Sequence, residues 1–214
     1  ALTEARRRHA SAFAALAEAS SEPLRGQAQG YWRDRIERDY PNFRAALSWS
    51  FGLNGDALLG CRLVGGLAYF WYIATRYLND TRHWTKVALV ARTAEMPSSV
   101  QGDVCACLFI NGHLWQKAEW IASSREALAH YRASQNQRGI ALSLCALAGG
   151  LLGIRPNDDE GLRAGNECFE LARAADDQWV IAHLLHFYAV NAMNTGDLQR
   201  AENWYRELIE IRRG

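Results

Sequence analysis

The sequence predicts an all-α fold in which antiparallel helix pairs stack into a right-handed superhelix. Three observations favour this class. The 214-residue chain is rich in Ala, Leu, Arg and Glu, which are good helix formers, and it contains only 4 Pro. Apolar residues recur at steps of three or four through most of the chain. Related positions return about every forty residues, which is typical of a helical solenoid.

Residues 1–55 are predicted to form a helical cap or linker that joins an upstream module absent from this sequence. Small and apolar positions with the spacing of one helical face run through residues 2–19. A second series of this kind begins at Trp32. Pro41 lies inside that series, so we expect Asp39 and Tyr40 to close one short helix and Pro41 to open the next.

Four helical hairpins are predicted to occupy residues 56–214. Asp56 follows a Gly-Leu-Asn-Gly break and is well placed as a helix N-cap. Later breaks, rich in Gly, Pro, Asn and Asp, divide the remainder of the chain. The predicted hairpins span residues 56–95, 98–134, 137–174 and 177–213.

A period near forty residues relates these hairpins. Trp204 of the last hairpin lies 120 positions after Trp84 of the first, which corresponds to three steps of 40. Small residues expected at helix crossings recur at Gly112, Gly150 and Ala189. A single helix pair cannot bury its apolar face, so neighbouring pairs must stack.

The composition argues against several classes of protein. Formal net charge is +1, from 24 basic and 23 acidic side chains, so the chain has no overall cationic surface and we expect no direct contact with nucleic acid. Five cysteines, an odd number, lie in apolar helical stretches and are predicted to be free and buried, as suits a reducing cytoplasm. No apolar run reaches the roughly 18 residues of a membrane span.

Residues that could carry catalysis are better explained by packing and capping. His183 and His186 are three positions apart, but a zinc site needs at least one further protein ligand. The Asp158-Asp159-Glu160 run stands at a predicted helix start, where carboxylates complement the helix dipole. Neither a phosphate loop nor a nucleophile elbow is present in the sequence. We therefore predict no metal, no cofactor and no enzymatic activity in this chain.

An enzyme with a site between helices remains the alternative from another functional class. That alternative requires a buried cluster of titratable groups with strongly perturbed pKa values in a pocket.

Several strings in the first ninety residues carry a family resemblance. They are Arg8-His9-Ala10, Phe13–Glu18, Trp32–Asp39, Asn42–Trp49 and Leu63–Trp71. This part resembles the segment that follows the NB-ARC nucleotide-binding and winged-helix modules in bacterial STAND regulators, which are signal-transduction ATPases with numerous domains. The similar proteins are of the antibiotic-regulatory-protein and large LuxR-like types. The rest of the chain resembles tetratricopeptide repeats.

The resemblance implies a sensor arm of a transcriptional regulator. Such an arm binds a protein, peptide or small-molecule inducer on its concave face and relieves autoinhibition of a nucleotide-binding module in cis. A free-standing repeat adaptor that binds a peptide or protein is the alternative. In tetratricopeptide stacks the first helix of each pair lines the concave face. By that likeness the predicted groove comprises Phe70, Ile73, Phe109, His113, Gln116, Lys117, Leu151, Arg155, His186, Val190 and Asn194.

Overall fold

A computed structural model describes residues 2–213, and within that range every regular element is helical. The ten α-helices are α1 Leu2–Ser20, α2 Gln29–Ser50, α3 Ala57–Ile73, α4 Leu78–Ala91, α5 Ser98–Ile110, α6 Lys117–Ala133, α7 Gln137–Leu152, α8 Asp159–Ala174, α9 Gln178–Asn194 and α10 Leu198–Arg213. Helices pack mainly on their neighbours in the sequence, so the predicted all-α, solenoid-like class is confirmed. None of the helices within residues 2–213 combines the length and apolarity that a membrane crossing requires.

The chain divides into two compact units, the first ending at Trp115 and the second beginning at Gln116. In the first unit, α3 is the central helix and packs against α1, α2, α4 and α5. In the second unit, α7 packs against α6, α8 and α9, and α9 also packs against α8 and α10. This boundary differs from the predicted one between residues 55 and 56. The sequence-based division separates a cap or linker (1–55) from the hairpins (56–214) by their expected roles, and it stays a prediction.

A hydrogen-bonded chain of side chains stabilises the core of the first unit. The Trp71 side chain is fully buried, and its indole Nε1 donates to the Tyr40 hydroxyl at 3.0 Å. Tyr40 in turn donates to Asp80 Oδ2 at 2.9 Å, and the Nε atom of Arg44 lies 3.3 Å from the same oxygen. These contacts join α2, α3 and α4, so the polar groups brought into the core have partners.

The expected break at Pro41 is wrong, because α2 continues through this residue from Gln29 to Ser50. A proline inside a helix removes one backbone hydrogen bond and costs about 3 kcal/mol. Here the residues on both sides of it, Tyr40 and Phe43, are buried on the same packed face. Burial of a side chain of this size contributes about 2 kcal/mol. Tertiary packing on both sides therefore offsets the local preference for a break.

Three turns of the second unit have the same geometry. Each contains one residue with a left-handed backbone, namely Gln135 (φ 54°), Asp176 (φ 50°) and Gly196 (φ 81°). The N–H of the following residue donates to a carbonyl five positions back, which closes the preceding helix. The side chain of that same following residue then caps the next helix, through Asn136 to Gly139, Asp177 to Val180 and Asp197 to Arg200.

The second helices of successive hairpins in this unit are joined by ion pairs. Arg125 of α6 contacts Glu160 of α8 at 2.7 Å, and two helical turns later Arg132 contacts Glu167 at 2.8 Å. Arg173 of α8 lies 3.8 Å from Glu207 of α10. These exposed pairs each contribute about 0–1 kcal/mol. Arg125 and Arg132 are seven residues apart in α6, and their partners Glu160 and Glu167 are seven residues apart in α8. The two helices therefore lie side by side and run in the same direction.

All five cysteines are buried and form no disulfide within residues 2–213, as predicted. Burial raises the pKa of the Cys107 thiol to about 12, although hydrogen bonds to Thr85 and Asn111 act in the opposite direction. Burial likewise raises the pKa of Cys61 to about 11, and the charge of Arg92 partly offsets this effect. Burial also raises the pKa of the Tyr40 hydroxyl well above its ordinary value.

These shifts predict a loss of stability at alkaline pH. Thiols in the unfolded chain ionise near pH 9.0, while the buried thiols of the folded chain stay protonated. The contribution of these thiols to stability is therefore fully present below pH 9, and it is lost as the pH rises towards their pKa values in the folded state. Each such group should lower the free energy of unfolding by about 1.4 kcal/mol per pH unit in that window.

Urea unfolding followed between pH 8 and pH 11 measures this slope. Replacing Cys107 with alanine should flatten the slope, whereas Val104→Ala should lower stability equally at every pH, because Val104 is a buried neighbour without a titratable group. An unchanged slope in Cys107→Ala would contradict the assignment.

Candidate functional site

The predicted groove residues of the first unit are not all accessible. Phe70 and Phe109 are 0 % and 4 % exposed, so both belong to the core and their assignment to an open groove is wrong. The Phe70 ring lies 5.6 Å from the Tyr40 ring and 5.3 Å from the Tyr77 ring, in an aromatic cluster that excludes solvent. Ile73 is half-buried at the end of α3. His113 is exposed in the 3-10 turn that follows α5.

Two predicted residues of the second unit lie at the end of α7 and in the connection that follows it. Leu151 faces α8, since its Cβ lies 3.1 Å from the position that a Cβ on Gly161 would occupy. Arg155 is exposed and contacts Asp158 in the connection after α7.

Gln116 and Lys117 lie at the start of α6. The Gln116 side chain caps the helix, and its backbone N–H donates to Glu119 Oε2 at 3.0 Å. The Lys117 ammonium lies 3.9 Å from the centre of the Trp120 ring, and partial burial lowers its pKa. The ammonium is also close to Gly153 at the end of α7, where carbonyl groups attract a cation.

The remaining predicted residues lie on α9. His186 and Asn194 are exposed and Val190 is half-buried. The His186 ring lies 5.8 Å from Phe187 and 6.1 Å from Tyr205 of α10. Phe187 also lies 5.9 Å from Trp120 and packs over Gly149. Trp120 and Phe187 thus belong to the same surface as Lys117, and the sequence reasoning missed them.

The two histidines of the HxxH pattern have separate surroundings. His183 stacks on Trp179, with ring centres 3.7 Å apart, and its Nδ1 is 2.8 Å from the Trp179 carbonyl. His186 faces Phe187 and Tyr205 instead. Across the described range 2–213, no three His, Cys, Asp or Glu side chains come together in a way that could hold a metal ion.

A cleft of about 700 Å³ lies on another side of α9, between α8 and α10. This volume is typical of small-ligand sites, which run from about 300 to 1,000 Å³. Its α9 residues, among them Tyr188 and Asn191, lie on a different helical face from His186 and Val190. The lining residues are Asn157, Leu162, Asn166, Glu167, Phe169, Glu170, Tyr188, Asn191, Ala192, Thr195, Asp197, Arg200 and Trp204.

Two asparagines hold one end of the cleft in place. Asn191 is 8 % exposed, and its Oδ1 accepts from the backbone N–H of Asn157 at 2.9 Å. Its Nδ2 donates to Asn157 Oδ1 at 3.1 Å. Asn157 has a left-handed backbone (φ 59°), a conformation that asparagine tolerates better than most residues. The connection between α7 and α8 is thereby fastened to α9.

Tyr188 organises the middle of the cleft. Its hydroxyl donates to Asn166 Oδ1 at 3.2 Å, and its ring lies 5.8 Å from the Trp204 ring. Burial raises the pKa of Tyr188 to about 12, so the hydroxyl stays protonated and continues to donate. A side chain at Gly165 would collide with this hydroxyl, so glycine there allows the contact between α8 and α9.

Some charged side chains of the cleft have an ion-pair or hydrogen-bond partner, and others have none among the described residues. Glu167 pairs with Arg132, and Asp197 caps α10 through the Arg200 N–H at 3.0 Å. The Glu170 carboxylate and the Arg200 guanidinium have no ion-pair partner within residues 2–213, and they do not pair with each other. The cleft therefore offers amides, aromatic rings and two unpaired charges of opposite sign, an arrangement suited to binding.

Comparisons with known proteins relate the chain to regulators. It is 24 % identical over 216 aligned positions, which cover 95 % of the chain, to a protein of Mycobacterium bovis and to proteins of two strains of Mycobacterium tuberculosis. Each relative is named "Putative HTH-type transcriptional regulator". The chain spans about a quarter of the length of these relatives (24 %). No family model matches the chain, and no solved structure matches it. Similarity to one stretch of these regulators is compatible with a regulatory role.

Proposed function

We propose that this chain is the sensor arm of a larger transcriptional regulator of the STAND type. In this role its tetratricopeptide-like hairpins bind an inducer or a partner in the cytoplasm. Nucleotide binding belongs to an upstream module in cis, and the arm carries no reaction centre of its own. Similarity to one quarter of the length of HTH-type regulators supports this proposal, because such proteins have room for further modules.

The cleft between α8 and α10 is the observation that carries the proposal. Asn166, Tyr188 and Trp204 bring together an amide, a hydroxyl and an indole in a space of ligand size. The pKa of Tyr188 is raised, so that its hydroxyl serves as a hydrogen-bond donor and not as a base. These groups suit recognition better than catalysis.

A ligand in this cleft would contact three helices at once. It would touch α8 and α10, which also meet through the Arg173–Glu207 pair, and it would lie over α9. A ligand shifts a conformational equilibrium only by its difference in affinity for the two states. An inducer that binds best when α8 and α10 have this spacing would therefore favour the arrangement of the regulator that contains it.

A cleft-filling substitution tests the proposal in the regulator that contains this chain. Asn166→Trp should block the cleft and abolish most of the transcriptional response to inducing conditions, measured with a reporter gene. Arg163→Trp is the matched control, because Arg163 is an exposed residue of the same helix outside the cleft. Circular dichroism should show both variants folded. A normal response in Asn166→Trp would contradict a sensory role for this cleft.

The reading frame separates this proposal from the free-standing adaptor. A phosphate loop and a helix-turn-helix module in the same polypeptide would support the regulator. A polypeptide without either module would favour an adaptor that binds its partner through the same surfaces.

A further inference from the structure

Asparagine is followed by glycine twice in the chain, at Asn54-Gly55 and at Asn111-Gly112. The side-chain amide of an asparagine can react with the backbone nitrogen of the next residue, and glycine hinders this reaction least because it has no side chain. Asparagine is for this reason one of the thermolabile residues of proteins. Both pairs belong to the first unit, but the fold gives them different surroundings.

The Asn54-Gly55 pair lies in the turn between α2 and α3, and both residues are exposed. The Asn54 side chain has no hydrogen-bond partner among the residues that the structure describes. The backbone N–H of Gly55 donates to the Gly52 carbonyl at 2.9 Å, which closes the turn. Rotation of the Asn54 backbone towards a reactive geometry therefore breaks an exposed hydrogen bond, and it takes no side chain out of the core.

Asn111 is fixed in the core of the same unit. Its side chain is 0 % exposed, and Nδ2 donates to the Cys107 carbonyl at 3.0 Å and to the Ala68 carbonyl at 3.2 Å. Because Ala68 belongs to α3, this amide joins α3 to the end of α5. Reaction at Asn111 would break both hydrogen bonds and leave buried carbonyl groups without a donor. The fold therefore protects this pair.

We propose that Asn54 is a site of spontaneous modification, at which its side-chain amide is converted into aspartate and isoaspartate. The Gly55 nitrogen attacks the side-chain carbonyl carbon of Asn54 and releases its proton to solvent. The bond from that carbon to the side-chain nitrogen breaks, ammonia leaves, and a cyclic imide forms. The net reaction of the two steps consumes one water and releases one ammonia.

Water completes the reaction by opening the imide at either of its two carbonyl carbons. Hydrolysis at the side-chain carbon gives aspartate with an ordinary backbone. Hydrolysis at the backbone carbonyl carbon gives isoaspartate, in which the chain runs through the former side chain.

The isoaspartate product disturbs the start of α3, because it adds a carbon atom to the backbone between Asn54 and Gly55. Gly55 has little room to shift, since even a Cβ there would overlap with the carbonyl groups of Trp49 and Ser50. The displacement therefore reaches Asp56, which caps α3 through a side-chain hydrogen bond of 3.2 Å. Since α3 is the central helix of the first unit, loss of this cap weakens the whole unit.

Mass spectrometry of the full chain, incubated in mildly alkaline buffer and then digested with trypsin, tests the proposal. Trypsin places the two pairs in separate peptides, residues 45–62 and 93–117, and neither peptide contains a second asparagine. Asn54 should convert at least about tenfold faster than Asn111 in the folded protein. In guanidinium chloride the two pairs should convert at similar rates, because the fold no longer protects Asn111. Equal rates in the folded protein, or no conversion of Asn54, would overturn the inference.

Two variants separate the modification from its effect on α3. Asn54→Gln should stay unmodified over the same incubation, because the longer side chain closes its ring more slowly. Asn54→Asp reproduces the aspartate product and should melt at the temperature of unmodified wild type. The isoaspartate form, isolated by chromatography from aged wild type, should melt about 4 °C lower.

Circular dichroism measures the melting temperatures. An isoaspartate form that melts with unmodified wild type would contradict the effect on α3. The cleft belongs to the second unit, so these outcomes do not depend on the proposed function.

Discussion

Replacing Trp71 with alanine should lower the free energy of unfolding by about 4 kcal/mol. The side chain is 0 % exposed, so its removal leaves a cavity between α2 and α3 that the surrounding helices can close only in part. The substitution also deprives the Tyr40 hydroxyl of the donor at 3.0 Å. An acceptor left buried without its partner adds to the cost.

Urea denaturation followed by circular dichroism measures this effect. Trp71→Phe keeps most of the volume and loses the hydrogen bond, so it should cost about 1–2 kcal/mol. Trp32→Ala is the matched control, because Trp32 is partly exposed and removal of its side chain leaves no enclosed cavity. Equal losses for Trp71→Ala and Trp32→Ala would show that the Trp71 region is not the core of the first unit.

Introducing valine at Gly66 should destabilise the first unit by about 3 kcal/mol. A Cβ at this position would lie 2.8 Å from the carbonyl carbon of Ala17 and 2.8 Å from the backbone nitrogen of Glu18. Both are backbone atoms of α1, so the contact cannot be relieved by rotating a side chain. Either α1 or α3 must move away, and the apolar contacts between them would then open.

Gly30→Val is the matched control for this substitution. Gly30 also lies in a helix, but no atom lies within 4 Å of the position that its Cβ would take. Its replacement should change stability by less than about 0.5 kcal/mol. Thermal melting of the two variants compares them directly. Similar melting temperatures would indicate that α1 does not approach α3 as closely as the structure shows.

The helix ends could be predicted from the sequence because they depend on local chemistry. The predicted hairpin at 137–174 coincides with the span from the start of α7 to the end of α8. Asp56 caps α3 as expected, accepting from the Leu59 N–H at 3.2 Å. A side chain that bonds to a backbone N–H three residues later needs no information from the rest of the fold.

Gly112 shows where the repeat period misled the interpretation. The period placed this glycine at a helix crossing, but α5 ends at Ile110 and Gly112 begins a 3-10 turn. Gly150 does lie at a crossing, where a Cβ would be 2.7 Å from Ile121 Cγ1. A period relates equivalent positions between repeats, but it does not show that one repeat has a shorter first helix.

The site was harder to predict, since it depends on which face each helix presents to its neighbours. Helical periodicity placed Leu151 on one face of α7, but it could not show that this face packs on α8. The cleft combines residues of three helices, and no short motif connects Asn157, Tyr188 and Trp204. Asn191 was the available signal, because a polar amide in a mainly apolar stretch of helix requires a partner when it is buried.

The three-residue turns of the second unit limit how its length can vary. Asn136, Asp177 and Asp197 each close one helix through the backbone N–H and cap the next helix through the side chain. A residue therefore cannot be inserted at these junctions without disturbing one of the two hydrogen bonds. Adding one residue there would turn the following helix by about 100° and expose its apolar side. Homologues of this unit should therefore align without gaps at these junctions. Length differences should instead collect in the longer connection between α7 and α8, at residues 153–158.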